Sequence, residues 1–96
     1  MAQKPTSLQR RAVYYRGTVQ GVGFRWFVRD WAQRLALRGW VRNREDGAVE
    51  AEAQGSPQAL ADFARQLRLG PAAARVEKVE TTALSPAGGP QSFDIL

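Results

Sequence analysis

Two helical stripes separated by a hairpin leave this 96-residue chain few folds to choose from. Apolar residues recur at Phe24, Phe27, Val28, Trp31 and Leu35, and again at Leu60, Phe63, Ala64 and Leu67, with the three- and four-residue spacing of a helix face. Between the stripes, Trp40-Val41-Arg42-Asn43 and Ala48-Val49-Glu50-Ala51-Glu52-Ala53 flank Asp46-Gly47, a dipeptide that favours a tight turn between paired strands. Ahead of the first stripe, Arg11 to Val19 alternates as a half-buried strand does, with Val13, Tyr15 and Val19 on one side and Arg16 and Thr18 on the other. The first helix is expected to end near Arg38, with Gly39 as the left-handed residue beyond it. Ser56 is placed to cap the second helix, Pro57 suits its first position, and Gly70-Pro71 stops it. Arg75 to Leu84 is rich in β-branched residues, and its imperfect alternation admits a bulge. A Gly/Pro-rich loop, Pro86 to Pro90, then leads to a short strand from Phe93 to Leu96.

The order strand, helix, strand, strand, helix, strand predicts an α+β fold, the two-layer ferredoxin-like βαββαβ sandwich with a short extra C-terminal strand. Its sheet is expected to be antiparallel, with both helices on one face and the other face exposed. Residues 1–9 are polar, contain Pro5 and show no periodicity, so they read as a flexible leader before a single domain spanning 10–96. A chain of this length supports one hydrophobic core rather than two.

The absence of cysteine and histidine removes disulfides, thiolate nucleophiles, phosphohistidine intermediates and zinc sites built on sulfur or imidazole. Only carboxylates remain as metal ligands, and neither a metal nor a cofactor is expected. No apolar run approaches the roughly 20 residues that span a bilayer, and Met1 to Ser7 lacks the apolar segment of a secretory signal. A cytoplasmic monomer without membrane contact is the expectation. The net charge of +5, carried almost wholly by arginine, favours an anionic partner.

Gln20-Gly21-Val22-Gly23-Phe24-Arg25 joins the first strand to the first helix. Glycines at such a turn let backbone N–H groups converge beside the partial positive charge of a helix N-terminus, an arrangement that binds anions. The segment is not a dinucleotide fingerprint, since Trp26 stands where a third glycine is needed, and it lacks the lysine and hydroxyl residue of a Walker loop. Arg25 falls in the first helical turn, where a cation opposes the helix dipole unless an anion is bound. Its planar fork can hold two phosphate oxygens, or it can simply point into solvent. Asn43 shares the parity of Val41 and hence the helix-covered side of the sheet. It can bond its own turn backbone or orient a water or an anion oxygen.

Gly17-x-Val19-Gln20-Gly21-Val22-Gly23-Phe24-Arg25, then Gly39-Trp40-Val41-Arg42-Asn43-x-x-Asp46-Gly47-x-Val49-Glu50, then Gly70-Pro71, closely resembles the acylphosphatase family from about Arg11 to the C-terminus. The resemblance implies metal-free hydrolysis of acyl phosphates by the same ferredoxin-like fold. In it, the loop from Gln20 to Arg25 cradles the phosphate, Arg25 binds it, Asn43 orients the attacking water, and inorganic phosphate or sulfate is the bound anion. The family picture also has the bound phosphate assist in taking the water's proton. The family often has glycine where Ala36 stands, which bears on the end of the first helix. A similar domain opens much larger hydrogenase-maturation proteins, and a chain ending with the domain favours the free-standing enzyme.

The chemistry suits a chain so poor in acids and bases. An acyl phosphate expels a carboxylate whose conjugate acid has a pKa of roughly 4, so no catalytic acid is needed at neutral pH. An RNA-recognition domain shares the element order and basic charge, but reads bases with aromatics on its third strand. Here that strand offers Ala48, Glu50 and Glu52, two of them carboxylates that repel nucleic acid, so no nucleic-acid partner is expected.

Overall fold

The periodicities resolve into seven elements: β1 (Gln9–Thr18), α1 (Phe24–Arg34), β2 (Arg38–Asn43), β3 (Val49–Gly55), α2 (Pro57–Leu69), β4 (Arg75–Leu84) and β5 (Phe93–Ile95). The computed structural model describes residues 8–89 and 91–96. The expected leader therefore lies mostly outside the described residues, except that Gln9 is already in β1, paired with Gly55.

The sheet has the order β4-β1-β3-β2-β5. Its first four strands pair antiparallel, as expected of the ferredoxin-like fold, but β5 joins the β2 edge in parallel, so the sheet is mixed. The expected irregularity in β4 is present, as a shift of register opposite Arg16 and Gly17. Val13, Tyr15, Val41, Val49, Ala51 and Ala53 form the buried floor of the sheet, against Phe24, Val28 and Ala32 of α1 and Leu60, Phe63 and Leu67 of α2. Ser56 caps α2 by accepting the N–H of Ala59 at 3.1 Å. Ala64, placed in the apolar stripe by its spacing, is exposed instead.

The first helix stops four residues short of the expected Arg38. The N–H of Leu37 donates to the Ala32 carbonyl at 2.9 Å and that of Ala36 to the Gln33 carbonyl at 3.2 Å. These are the two bonds of a Schellman ending. Its left-handed residue is Ala36, with φ 58°, and not Gly39. The apolar contact that accompanies such an ending is supplied by Leu37 and Ala32, both in the core. Gly39 serves a different need: it lies in β2, where an added Cβ would come within 1.9 Å of the Glu52 carbonyl oxygen. An alanine held at positive φ loses on the order of 1 kcal/mol relative to its preferred wells. Ala36→Gly is thus expected to raise the melting temperature by a few degrees, since about 1 kcal/mol shifts a domain of this size by about 4–8 °C and the glycine's extra unfolded-state entropy offsets part of the gain. Calorimetry showing an unchanged or lower melting point would contradict the strain argument.

The sheet face away from the helices is less open than alternation alone predicts. Glu50 and Gln54 face that side yet are buried, each 7% exposed. Gln54 exchanges two hydrogen bonds with the backbone of Ala87, at 2.8 and 2.9 Å, which draws the loop after β4 over one end of the face. Arg10 pairs with Glu52 at 2.6 Å, while Arg42, Arg44 and the Tyr14 hydroxyl converge on Glu50 at 2.9, 3.3 and 3.0 Å. Burial works to raise the Glu50 carboxyl, but hydrogen bonds from Arg42 and Tyr14 outweigh it and hold the pKa below the ordinary carboxylate value. The carboxylates of β3 are thus neutralised by arginines rather than presented as repelling charges.

Candidate active site

β1 and β2 both run antiparallel to β3, so their C-terminal ends lie at the same end of the sheet. Val49, the first residue of β3, pairs with Tyr15 on one side and Asn43 on the other. From this end the chain leaves β1, turns through Val19 to Gly23 and enters α1 at Phe24. Gly21 and Gly23 take φ values of 75° and 79°, and a Cβ at either would meet nothing within 4 Å. Their requirement is therefore conformational and not steric. Phe24 anchors the turn from below: it is 1% exposed, with its ring 5.3 Å from that of Tyr15 and 6.3 Å from that of Phe27.

Gly23 occupies the cap position of α1 in a left-handed conformation and supplies no side-chain cap, and the first turn contains no acidic residue. The first N–H of this segment to be used is that of Phe27, which donates to Gly23 at 3.1 Å. The N–H groups from Gly21 to Trp26 thus have no acceptor among the described residues. Arg25 is half-buried in the same turn and makes no ion pair among them. The result, among the described residues, is a run of free donors and one free guanidinium at the positive end of a helix whose first turn carries no acidic residue.

Asn43 closes β2 two residues beyond Val41, which is fully buried. It is exposed, and its amide makes no hydrogen bond among the described residues. The turn bond that an asparagine there could form is instead made by Asp46, whose carboxylate accepts the Ala48 N–H at 3.1 Å. That N–H, with Arg16 and Arg44 beside it, outweighs the cost of burial and holds the Asp46 carboxyl below its ordinary range. The hairpin is closed by the Arg44 N–H donating to the Ala48 carbonyl at 2.8 Å.

Gln20 does something the sequence did not disclose. Read from the sequence, it contributes backbone to the cradle; in the structure its side-chain amide donates to the carbonyls of Arg44 and Ala48, at 2.8 and 2.9 Å. It thereby bolts the β1–α1 turn to the hairpin that carries Asn43. The partners lie 24 and 28 residues away and are backbone atoms, so no side-chain pattern could have pointed to them. On the other side of the sheet Arg16 reaches Asp46 at 3.3 Å and Glu80 at 3.1 Å, and steadies the same hairpin. The β1–α1 turn and Asn43 therefore belong to one braced end of the fold.

The acylphosphatase family profile matches residues 11–95, nearly the whole described chain. An acylphosphatase of Koribacter versatilis is 52% identical over 79 residues, which cover 82% of this chain and 72% of that one. Among solved structures, the acylphosphatase of Bacillus subtilis superposes with a TM-score of 0.86 at 39% identity, covering 94% of this chain and 99% of that one. An acylphosphatase from Coxiella burnetii gives a TM-score of 0.89 at 33% identity with both chains covered throughout. Fold, motif order and relatives agree: the chain belongs to the acylphosphatase family of enzymes, which hydrolyse acyl phosphates.

Proposed function

We propose that the chain hydrolyses small acyl phosphates to carboxylate and inorganic phosphate without a metal, holding the phosphate with Arg25 and the amides of the Gln20–Arg25 loop and orienting water with Asn43. The observation that carries this reading is the donor set at the start of α1, unsatisfied among the described residues, on the end of the sheet where Asn43 likewise has no partner among them. Phosphoryl transfer asks little of a protein beyond position and charge. The bidentate fork of Arg25 and the amides stabilise the oxygens as charge shifts toward the leaving group. Asn43 accepts from and donates to the water that attacks phosphorus. The bond from phosphorus to the acyl oxygen breaks, the electron pair leaves with the carboxylate, and the water's proton ends on the phosphate.

The leaving group supports a metal-free route: a carboxylate departs unprotonated at neutral pH and needs no Lewis acid to stabilise it. No described helix is long and apolar enough to cross a membrane. A single copy supplies every element of the proposed site, and we place the enzyme in the cytoplasm as a monomer on the strength of its sequence.

An anion that binds only the folded chain stabilises it, by about 2.7 kcal/mol at a hundredfold excess over its Kd. Inorganic phosphate and sulfate are therefore expected to raise the melting temperature and to inhibit competitively. A melting point that does not move at millimolar phosphate would count against a preformed cradle.

A further inference from the structure

The packing of the two helices is unequal. α1 covers β2 and β5, whereas α2 lies over β3 and β4, and between α2 and the β1–β4 side of the sheet a cavity of about 300 Å³ remains. Ala64, too small to close it, is one of its walls. Val13, Phe63 and Val79 give it an apolar interior, and Arg11, Arg65 and Arg68 line it without any carboxylate. Arg65 is held by Asp62 and Arg11 by Gln9, but Arg68 makes neither ion pair nor hydrogen bond among the described residues.

Tyr15 also lines this cavity. It is 1% exposed, and its hydroxyl has no hydrogen-bond partner among the described residues. Among those residues, Arg29 Nε is the one side-chain polar atom that is both unpartnered and sealed from solvent. The Tyr15 oxygen therefore keeps access to open space, and the open space beside it is the cavity. Burial pushes the phenol's pKa up, so it stays a donor at neutral pH, and the Arg68 charge is close enough to act on it.

A free phenol and a free guanidinium beside an apolar chamber match a ligand with one anionic end and an apolar body. The volume is about twice that of an engineered cavity that takes benzene. We propose that this cavity is a second binding site, separate from the phosphate cradle, for a small carboxylate with an apolar body of medium-chain type. Its head would be held by Tyr15 and Arg68 and its chain by Val13, Phe63 and Val79. None of these residues belongs to the proposed active site, so the inference stands whether or not the reading of the cradle does. A further cavity, on the opposite sheet face beside the loop after β4, is lined by the paired Arg10 and Glu52 and the satisfied Gln54, and among the described residues shows no comparable unmet donor in a buried position.

The test is a calorimetric titration of the full chain with octanoate, with octanol as the uncharged comparison and saturating phosphate as the competitor. Expected are saturable one-to-one binding of octanoate, at least tenfold weaker binding of octanol, and no displacement by phosphate. Arg68→Gln, at an exposed position, and Tyr15→Phe should each weaken octanoate at least fivefold, and Ala64→Trp should abolish binding by filling the chamber. Arg68→Gln and Ala64→Trp should still turn over acyl phosphate. Should Ala64→Trp fail to fold, Arg68→Gln alone decides. Absence of saturable binding, equal affinity for octanol, displacement by phosphate, or indifference to Arg68→Gln would each overturn the proposal.

Discussion

Replacing Arg25 with lysine is expected to lower kcat by about 10² or more and to weaken inhibition by phosphate in the same variant. Arg25 makes no ion pair among the described residues and sits where the helix dipole disfavours a cation, so its charge is free to meet an anion. Lysine keeps the charge but loses the planar fork, and with it the two simultaneous bonds to phosphate oxygens. Because those bonds exist in both the ground state and the transition state, binding and chemistry should suffer together. The fold should not: a half-buried side chain without ion pairs among the described residues contributes little to stability, and the melting temperature in the absence of anions should stay within a degree or two of the parent. A variant with normal kcat and normal phosphate inhibition would remove Arg25 from the site.

Asn43→Ala should separate the two terms. If the amide acts only on water, kcat falls by about 10² or more while phosphate affinity hardly changes, because the ground-state phosphate never touched the amide. The competing account makes Asn43 a turn residue, in which case its loss would cost about 1 kcal/mol of stability and leave turnover intact. Its amide has no partner within the hairpin, where Asp46 makes the turn bond, and this favours the first outcome. Measuring kcat, the phosphate inhibition constant and the melting temperature on one preparation distinguishes the two. A less stable but fully active variant would return Asn43 to the turn.

Much of this architecture was legible because it rests on short-range rules. The 3.6-residue stripe from Phe24, the Ser56-Pro57 start of α2 and the Asp46-Gly47 turn are each decided within a few residues, and each appears where its local chemistry puts it. The end of α1 escapes such rules for the opposite reason. Gly39 carries the usual signal for a left-handed cap, but tertiary contact had claimed it: β2 approaches β3 too closely there for a side chain, and the ending fell to Ala36, an alanine no propensity would nominate. The parallel docking of β5 against β2 was likewise out of reach, since a three-residue strand does not record its partner. At the candidate site, the placement of Arg25 and Asn43 at one end of the sheet follows from β1 and β2 each pairing antiparallel with β3, as the expected ferredoxin-like fold requires. The Gln20 brace does not, because its acceptors are main-chain carbonyls of a distant hairpin. The ion-paired face was legible only as charge: the alternation of Glu50 and Glu52 indicated a carboxylate row, while the arginines that bury it come from β1, β2 and the turn.

Metal-free hydrolysis restricted to acyl phosphates can be checked by comparing a simple acyl phosphate with an alkyl phosphomonoester, both in excess chelator. Acyl phosphate turnover should be undiminished after complete metal removal, and kcat/KM for the monoester should be lower by about 10³ or more, because the proposed site offers no acid to an alkoxide leaving group. Loss of acyl phosphate turnover in chelator with recovery on adding magnesium or zinc, or comparable kcat/KM for the two substrates, would contradict it.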